Sequence, residues 1–279
     1  MIPARLHGRN HELLGRVATI AEGPCAIAIS RGGAPKTYHY KHPNEDAAAF
    51  AIGAGGTLAI VADAHGGRDA SEIAVEALLR DVAVEWTAAS AEAVMADWQN
   101  RVHAAIAGVH GEILQAVARG AVLSSRTTLA FALARPADDR IAVGAVGDSH
   151  AFALTADGLR DLARAADVAS AFLGDPADTE ESLADRCIAA THPITATRAL
   201  VLVTDGLSEH GIGVESPRAA IVEAADRAAL EQPDLRPLNA ARSVIEAALE
   251  AHIRNKAGDN VASAVIWLEE PALESERSQ

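Results

Sequence analysis

Two spacings of apolar residues alternate along this chain, and each predicts a different kind of element. Short runs that are apolar throughout, bounded by Gly, Pro or polar residues, predict buried strands at CAIAIS, TLAIVAD and ALVLVTDG. NVASAVIWL predicts a further strand late in the chain. TTLAFALARP and RIAVGAVGDSHAFAL predict an antiparallel pair, because a polar turn joins the two runs and apolar residues alternate in the second.

Apolar residues three or four positions apart predict a helical pair after the first strands. One helix is predicted over residues 71–86, with Ser71 and the preceding Asp69 as its cap. A longer helix is predicted over residues 94–117, where the apolar positions form one buried stripe.

A second helical pair is predicted late in the chain, at residues 217–230 and 238–255, with Gly258 closing the second helix. Residues 163–197 are the least regular part, and their Gly, Pro and Ser/Thr clusters predict a surface insertion. Strands before, between and after two helical pairs predict a layered α+β fold built on two sheets.

Four aspartates lie at the ends of the strand-like runs: Asp46, Asp63, Asp205 and Asp259. A carboxylate just beyond a buried strand is costly to desolvate unless it has a partner, and a divalent cation can use several carboxylates at once. Because neighbouring strands bring their ends together, distance along the chain is no obstacle. The sequence therefore predicts a metal site at one edge of the sheets.

Composition narrows the class of protein. The 279 residues are 49% hydrophobic, enough for a sizeable core, and the formal net charge is −14. That charge argues against nucleic-acid partners and against an anionic membrane surface. Cys25 and Cys187 are too few for a disulfide scaffold. The sequence also shows no signal peptide or membrane span, so we expect a cytoplasmic protein.

The motifs taken in order resemble one family. NED, VADAHGG followed by SEIA, TT, VGDSHAF, VTDGL and GDNVASAV resemble the metal-dependent serine/threonine protein phosphatases of type 2C, in a compact bacterial form. The resemblance implies a four-layer α-β-β-α sandwich with a central antiparallel β-sandwich. It also implies one catalytic domain over residues 1–268, with residues 1–24 as an extension packed on or near it, and a charged, flexible tail over 269–279.

The resemblance also implies roles for the acidic residues. The four aspartates occupy the positions that hold two Mg or Mn ions, and Ala64 stands where the family supplies a backbone carbonyl from a glycine. Asp148 matches an aspartate associated with a weaker third ion in some members, and Glu45 matches an acid that acts through water. Oxygen ligands of this kind favour Mg or Mn over Zn or Cu.

The implied reaction is removal of phosphate from phosphoserine or phosphothreonine proteins by direct attack of a water that bridges the two ions. His65 matches the position of a general acid that protonates the leaving alkoxide, although a structural histidine beside the metal is the alternative. The implied partner is a phosphoprotein substrate, with a serine/threonine kinase as the opposing enzyme.

Three positions depart from the family pattern. Lys41 stands where an arginine clamps phosphate, and lysine lacks the planar bidentate fork. Arg126 precedes the two threonines where the family has glycine, and the stretch between Asp148 and Asp205 is short for the flap that lies there. These departures leave open a catalytically weak module that binds a partner or senses metal.

One other hydrolase class is also compatible with part of the pattern. DAH and GDSH resemble two blocks of the calcineurin-like metallophosphoesterases. That family also needs a GNH block and later histidine ligands, and this sequence offers no histidine in that setting. We therefore favour the type 2C interpretation.

Overall fold

In the computed structural model, which describes residues 1–90, 92–122, 124–163 and 171–268, the strands form two antiparallel sheets. In chain order the strands are β1 (Ile2–His7), β2 (Val17–Glu22), β3 (Cys25–Ser30), β4 (Asp46–Ile52), β5 (Thr57–His65), β6 (Arg126–Thr127), β7 (Leu129–Arg135), β8 (Arg140–Val146), β9 (His150–Thr155), β10 (Gly158–Asp161), β11 (Ile188–Pro193), β12 (Thr197–Val203) and β13 (Val261–Trp267). The first sheet has the order β1, β4, β5, β7, β8, β11, with β6 beside β5, and the second has the order β10, β9, β12, β13, β3, β2.

Helices cover the outer face of each sheet. They are α1 (Asp69–Asp81), α2 (Ala83–Trp86), α3 (Glu92–Ala96), α4 (Trp98–Ala118), α5 (Glu180–Arg186), α6 (Pro217–Ala229) and α7 (Arg236–Asn255). The core of α1 and α4 is continuous with the first sheet, and that of α6 and α7 with the second. The predicted α+β fold with four layers is therefore confirmed. Among the described helices, none is long and apolar enough to cross a bilayer.

The central strand β5 shows why its sequence is apolar throughout. Leu58 and Ile60 pack among the helices, whereas Ala59 and Val61 pack between the two sheets. Successive side chains of a strand point to opposite faces, so a strand covered on both faces needs apolar residues at every position. The layer between the sheets contains many alanines, which lets the two sheets approach closely.

The opening segment contains two strands that the sequence pattern did not predict. β1 pairs with β4 at the edge of the first sheet, and β2 pairs with β3 at the edge of the second. Both are edge strands with several partly or fully exposed residues, so their sequences lack the continuous apolar run of a buried strand. Backbone pairing, which leaves little trace in composition, holds them in place.

Two predictions in the middle of the chain need correction. The run RIAVGAVGDSHAFAL is not one strand, because β8 belongs to the first sheet and β9 to the second. The predicted insertion at 163–197 contains α5 and the strand β11, which pairs with β8, while residues 164–170 lie outside the described part. The predicted tail over 269–279 also lies outside it.

Helix boundaries differ from the predictions at three points. The long predicted helix is interrupted at Asp97, between α3 and α4. Ser71 does not cap α1, and its hydroxyl donates instead to the carbonyls of Glu45 and Arg68. The last helix ends at Lys256, which has a left-handed φ of 55°, rather than at Gly258.

Candidate metal centre and active site

Asp46 and Asp63 face each other in the first sheet. Asp46 begins β4, Asp63 lies near the end of β5, and the antiparallel register pairs the two residues directly. Both are buried, at 0% and 6% exposure. Two carboxylates placed opposite each other on adjacent strands repel unless a cation or a hydrogen-bond donor offsets their charge.

Asp205 and Asp259 come from the second sheet. Asp205 follows the end of β12, and Asp259 precedes the start of the neighbouring antiparallel strand β13. A tight approach brings these two turns together, since a Cβ on Gly206 would lie 1.8 Å from the carbonyl oxygen of Asn260. Glycine is therefore required after Asp205.

A hydrogen bond joins the two halves of the site across the sheets. The Thr204 hydroxyl donates to Asp46 Oδ2 at 2.8 Å, and Thr204 Oγ1 in turn accepts the backbone N–H of Ala262 at 2.9 Å. Thr204 immediately precedes Asp205. The sandwich therefore brings both pairs of aspartates to the same end, as their strand-end positions predict.

The two threonines after Arg126 hold the backbone around Asp63. Thr127 donates its hydroxyl to the Asp63 carbonyl at 2.9 Å, and Thr128 Oγ1 accepts the Asp63 N–H at 3.2 Å. Thr128 Oγ1 also lies 2.8 Å from Ser149 Oγ, in the segment that connects β8 to β9. The motif residues TT and GDS thus orient the backbone of one candidate ligand.

Glu45 folds the loop that leads into β4. Its carboxylate accepts the backbone N–H groups of Lys41 and His42 at 3.3 and 3.2 Å, and its own N–H donates to Asn260 Oδ1 at 2.9 Å. Asn260 Nδ2 then donates to the carbonyls of Arg31 and Pro43. Asn260, directly after Asp259, therefore ties the entrances of β4 and β13 together.

Burial and mutual repulsion perturb the carboxylates. Burial raises the pKa of Asp46 to about 8, although the nearby Lys36 ammonium acts in the opposite direction. Burial, with repulsion from Asp46 and Asp259, raises the pKa of Asp63 well above its ordinary value. Burial and the charge of Asp63 raise the pKa of Asp205 in the same way. The cluster therefore holds more negative charge than its surroundings stabilise.

The carboxylate oxygens of this cluster are ligands of the kind that Mg and Mn ions prefer. Asp46 Oδ1 and Asp205 Oδ1 are buried without a hydrogen-bond partner among the described residues. Buried anionic oxygens are normally paired, and a divalent ion is a suitable partner for both. In the same part of the chain, however, no three acidic, His or Cys side chains already converge into a cage that could hold an ion.

Asp259 already has donors from the protein itself. Its Oδ1 lies 3.0 Å from Lys36 Nζ, and it also accepts hydrogen bonds from the Tyr38 hydroxyl and the Asn260 N–H. Burial alone would lower the pKa of Lys36, but the charges of Asp259, Asp63 and Asp46 raise it, so the lysine is cationic. The sequence pattern did not reveal Lys36 and Tyr38, because they lie in a turn-like segment without regularly spaced apolar residues.

His65 lies beside the carboxylates at the end of β5. Its Nδ1 is 3.9 Å from Asp63 Oδ1, and its ring centroid is 5.0 Å from that of Phe172. Burial lowers the pKa of His65, while the charge of Asp148 opposes the shift. His65, Ser124 and Arg126 line a cleft of about 390 Å³, so the histidine reaches a space open to a substrate.

The remaining predicted site residues do not line this cleft. Lys41 is exposed, and its ammonium donates to the Ser124 carbonyl at 3.1 Å rather than to a carboxylate. Asp148 is exposed in the segment between β8 and β9. Ala64 lies within β5, paired with Thr127, and does not have a positive φ. Its backbone is therefore unstrained in the position where the family has glycine.

His252 is a further site residue that the sequence pattern did not reveal. This fully buried side chain of α7 accepts the Gly33 N–H at Nδ1, 3.2 Å away, and its Nε2 lies 2.8 Å from the Gly206 carbonyl. The pair of contacts assigns the proton to Nε2. His252 thus connects the turn after Asp205 to the loop that carries Lys36.

Comparison with known proteins places this chain in a family of phosphatases. The family model described as protein phosphatase 2C matches residues 35–257, a range that ends just before Asp259. No curated protein matches the chain in sequence.

Three solved structures illustrate the likeness in fold. A bacterial serine phosphatase is similar with a TM-score of 0.64 and 15% identity, covering 88% of this chain and 98% of the other. The serine/threonine phosphatase Stp1 from Staphylococcus aureus is similar with a TM-score of 0.61 and 15% identity, covering 95% of this chain and 100% of the other. The Mycobacterium tuberculosis serine/threonine phosphatase PstP/Ppp is similar with a TM-score of 0.59 and 22% identity, covering 91% of this chain and 99% of the other. At these identities the likeness shows the fold.

Proposed function

This chain belongs to the protein phosphatase 2C family, and on that premise we propose that it is a Mg- or Mn-dependent phosphatase of phosphoserine and phosphothreonine proteins. One observation carries the proposal. The Thr204 hydrogen bond to Asp46 brings an aspartate pair from each sheet to one end of the sandwich, where two buried carboxylate oxygens have no described partner.

The proposed ligands are Asp46, Asp63, Asp205 and Asp259, with the backbone carbonyl of Ala64, and Asp148 at a weaker third position. When bound, the two ions would activate a water for attack on phosphorus and offset the negative charge of the phosphate. The protein contributes a rigid arrangement of carboxylates, because hydrogen bonds to the backbone hold Asp63 and Glu45 in place.

Two side chains around the cleft are proposed to act on the substrate. His65 would donate a proton to the leaving alkoxide, and because burial lowers its pKa, this donation should weaken as the pH rises through the mildly acidic range toward neutrality. Lys41 would attract the phosphate from the mouth of the cleft, since its ammonium lies at the Ser124 carbonyl, and Ser124 lines the cleft.

A second candidate function has one observation in its favour. Because Asp259 is already engaged by Lys36 and Tyr38, the site could bind metal weakly and serve a regulatory module that binds a partner with little turnover. The two candidates differ in a measurable quantity, the hydrolysis rate with saturating metal.

Hydrolysis of p-nitrophenyl phosphate and of a phosphothreonine peptide with added Mn tests the proposal, with an Asp205→Asn variant beside the wild type. We expect metal-dependent hydrolysis of both substrates that falls at least about 100-fold in the variant, because a ligand loses its charge. Equal rates for the two proteins, or no hydrolysis with any divalent metal, would contradict the enzymatic proposal. The cytoplasmic location and the opposing serine/threonine kinase stay predictions.

A further inference from the structure

Lys36 is a buried lysine at the edge of the carboxylate cluster. Only 4% of its side chain is exposed, and its Nζ lies 3.0 Å from Asp259 Oδ1 and 3.9 Å from Glu45 Oε2. The rings of Tyr38 and Tyr40 lie 5.2 and 5.9 Å from the ammonium and complete its surroundings. A lysine is rarely buried this deeply unless its charge is paired.

The backbone keeps Lys36 at this position. Lys36 forms an isolated parallel bridge with Gly258, and the Gly258 N–H donates to the Pro35 carbonyl at 3.0 Å. A Cβ on Gly258 would lie 1.8 Å from the Ala34 carbonyl oxygen, so only glycine permits this approach. Because Gly258 directly precedes Asp259, the lysine and the aspartate are fixed as neighbours.

The same carboxylate oxygen has three donors. Asp259 Oδ1 is the acceptor for the Tyr38 hydroxyl and the Asn260 N–H, and it is also the atom nearest to the Lys36 ammonium. A divalent ion that bound this oxygen would meet an ammonium already beside it, and the two cations would repel each other. The lysine must move, or share the carboxylate, when an ion binds.

We propose that Lys36 is an internal counter-ion of the aspartate cluster, which offsets its charge when metal is absent and competes with a divalent cation for Asp259. This inference rests on the proposed function, because it treats Asp259 as a metal ligand. It predicts that Lys36 weakens metal binding on the Asp259 side and makes the metal-free protein more stable. Lys36 is a positioning residue in this scheme, since it acts through Asp259.

Calorimetric titration of the metal-stripped full chain with Mn tests the inference. We expect Lys36→Met to bind Mn about tenfold more tightly at one site than the wild type, because the competing cation is gone. Lys36→Arg keeps the charge and should bind Mn with an affinity close to that of the wild type. Lys41→Met is the matched control, since the Lys41 backbone N–H also contacts Glu45 but its ammonium donates to the exposed Ser124 carbonyl, and the Mn affinity of this variant should equal that of the wild type.

Thermal unfolding in chelator provides a second measurement. Without metal, Lys36→Met should unfold at a lower temperature than the wild type. Added Mn should raise the unfolding temperature of Lys36→Met by more than it raises that of the wild type. If Lys36→Met does not fold without metal, Lys36→Gln, which keeps a donor for Asp259, replaces it in the titration with the same expectation. Equal or weaker Mn binding by the folded Lys36 variant would overturn the inference.

The outcomes separate this inference from the proposed function. If the wild type and the Lys36 variant bind Mn equally well, Lys36 is not a competitor, and the phosphatase proposal stands. If neither protein binds Mn or any other divalent ion, both proposals fail. If only the variant binds, the inference is supported and the wild-type protein is the regulatory module described above.

Discussion

The Thr204 hydroxyl donates a 2.8 Å hydrogen bond to the Asp46 carboxylate, and this bond connects a residue of the second sheet to one of the first. The donor lies one residue before Asp205 and the acceptor begins β4. Because the same hydroxyl oxygen accepts the Ala262 N–H, a single side chain links three parts of the site.

Replacing Thr204 with Val should therefore disturb both stability and the site. The change leaves the buried Ala262 N–H and Asp46 Oδ2 without a partner, and each loss of this kind costs about 1–3 kcal/mol. We expect a lower free energy of unfolding in urea and weaker Mn binding. Thr204→Ser, which keeps the hydroxyl, is the control and should retain most of the stability and most of the Mn affinity. Equal stability and equal Mn affinity of the two variants would contradict the proposed link.

The contribution of the buried aspartates to the stability of the metal-free protein should fall as the pH rises from about 4 to about 8. The pKa of Asp46 is raised to about 8, and those of Asp63 and Asp205 are also raised. At these three carboxylates the folded state binds more protons than the unfolded state over this range, so their contribution to the free energy of unfolding decreases with pH. Histidines whose pKa burial lowers contribute in the opposite direction, so the effect of the aspartates is measured against a variant that lacks one of them.

Urea denaturation of the wild type and of Asp46→Asn in chelator at several pH values measures this contribution, and the two proteins should differ by a few kcal/mol across the range. Saturating Mn should flatten the slope of this contribution, since a bound cation stabilises the ionised carboxylates. Asp46→Asn should reduce it without metal. An Asp46→Asn protein whose stability in chelator depends on pH in the same way as that of the wild type would contradict this assignment of charges.

His65→Gln should slow hydrolysis of a phosphothreonine peptide more than hydrolysis of p-nitrophenyl phosphate. An alkoxide is a poor leaving group and needs a proton, whereas p-nitrophenolate does not, and general-acid catalysis contributes about 10²–10⁴-fold. His103→Gln, on α4, is the control and should leave both rates unchanged. Equal slowing of the two substrates by His65→Gln would assign this residue a structural role.

Gly206→Ala should damage the site through packing alone. The added Cβ would lie 1.8 Å from the Asn260 carbonyl oxygen, so the turn after Asp205 must move away from β13. We expect a loss of about 1–3 kcal/mol or more in the free energy of unfolding and weaker Mn binding.

Gly108→Ala is the control for Gly206→Ala, and we expect it to leave the free energy of unfolding unchanged or to raise it. A Cβ at Gly108, in α4, meets no neighbouring atom within 4 Å, and alanine favours the helix by about 0.5–1 kcal/mol. The control should therefore be as stable as the wild type or more so. A Gly206→Ala protein of undiminished stability would show that the turn has room to adjust.

The sequence predicted the buried strands and the helical pairs because apolar residues dominate where both faces of an element are covered. β5 and β12 are examples, since nearly every residue in each is buried. The edge strands β1 and β2 left no such pattern, because backbone pairing rather than burial defines them.

The candidate site was predictable only in part, for a related reason. The aspartates could be found because acidic residues at the ends of apolar runs are conspicuous. Lys36, Tyr38 and Asn260 act through contacts between residues far apart in sequence, as in the 221-residue separation of Tyr38 and Asp259. Nothing in the local sequence around a turn indicates which distant carboxylate its lysine will reach.

Each sheet supplies two of the four aspartates, and much of the layer between the sheets consists of small apolar side chains. An ion shared by both pairs would therefore act as a crosslink between the two sheets. Metal would then slow the rate of unfolding more than it speeds folding, because the crosslink requires both sheets to be in place. Resistance to proteolysis over hours, rather than the equilibrium midpoint alone, would be the property that depends most on metal supply.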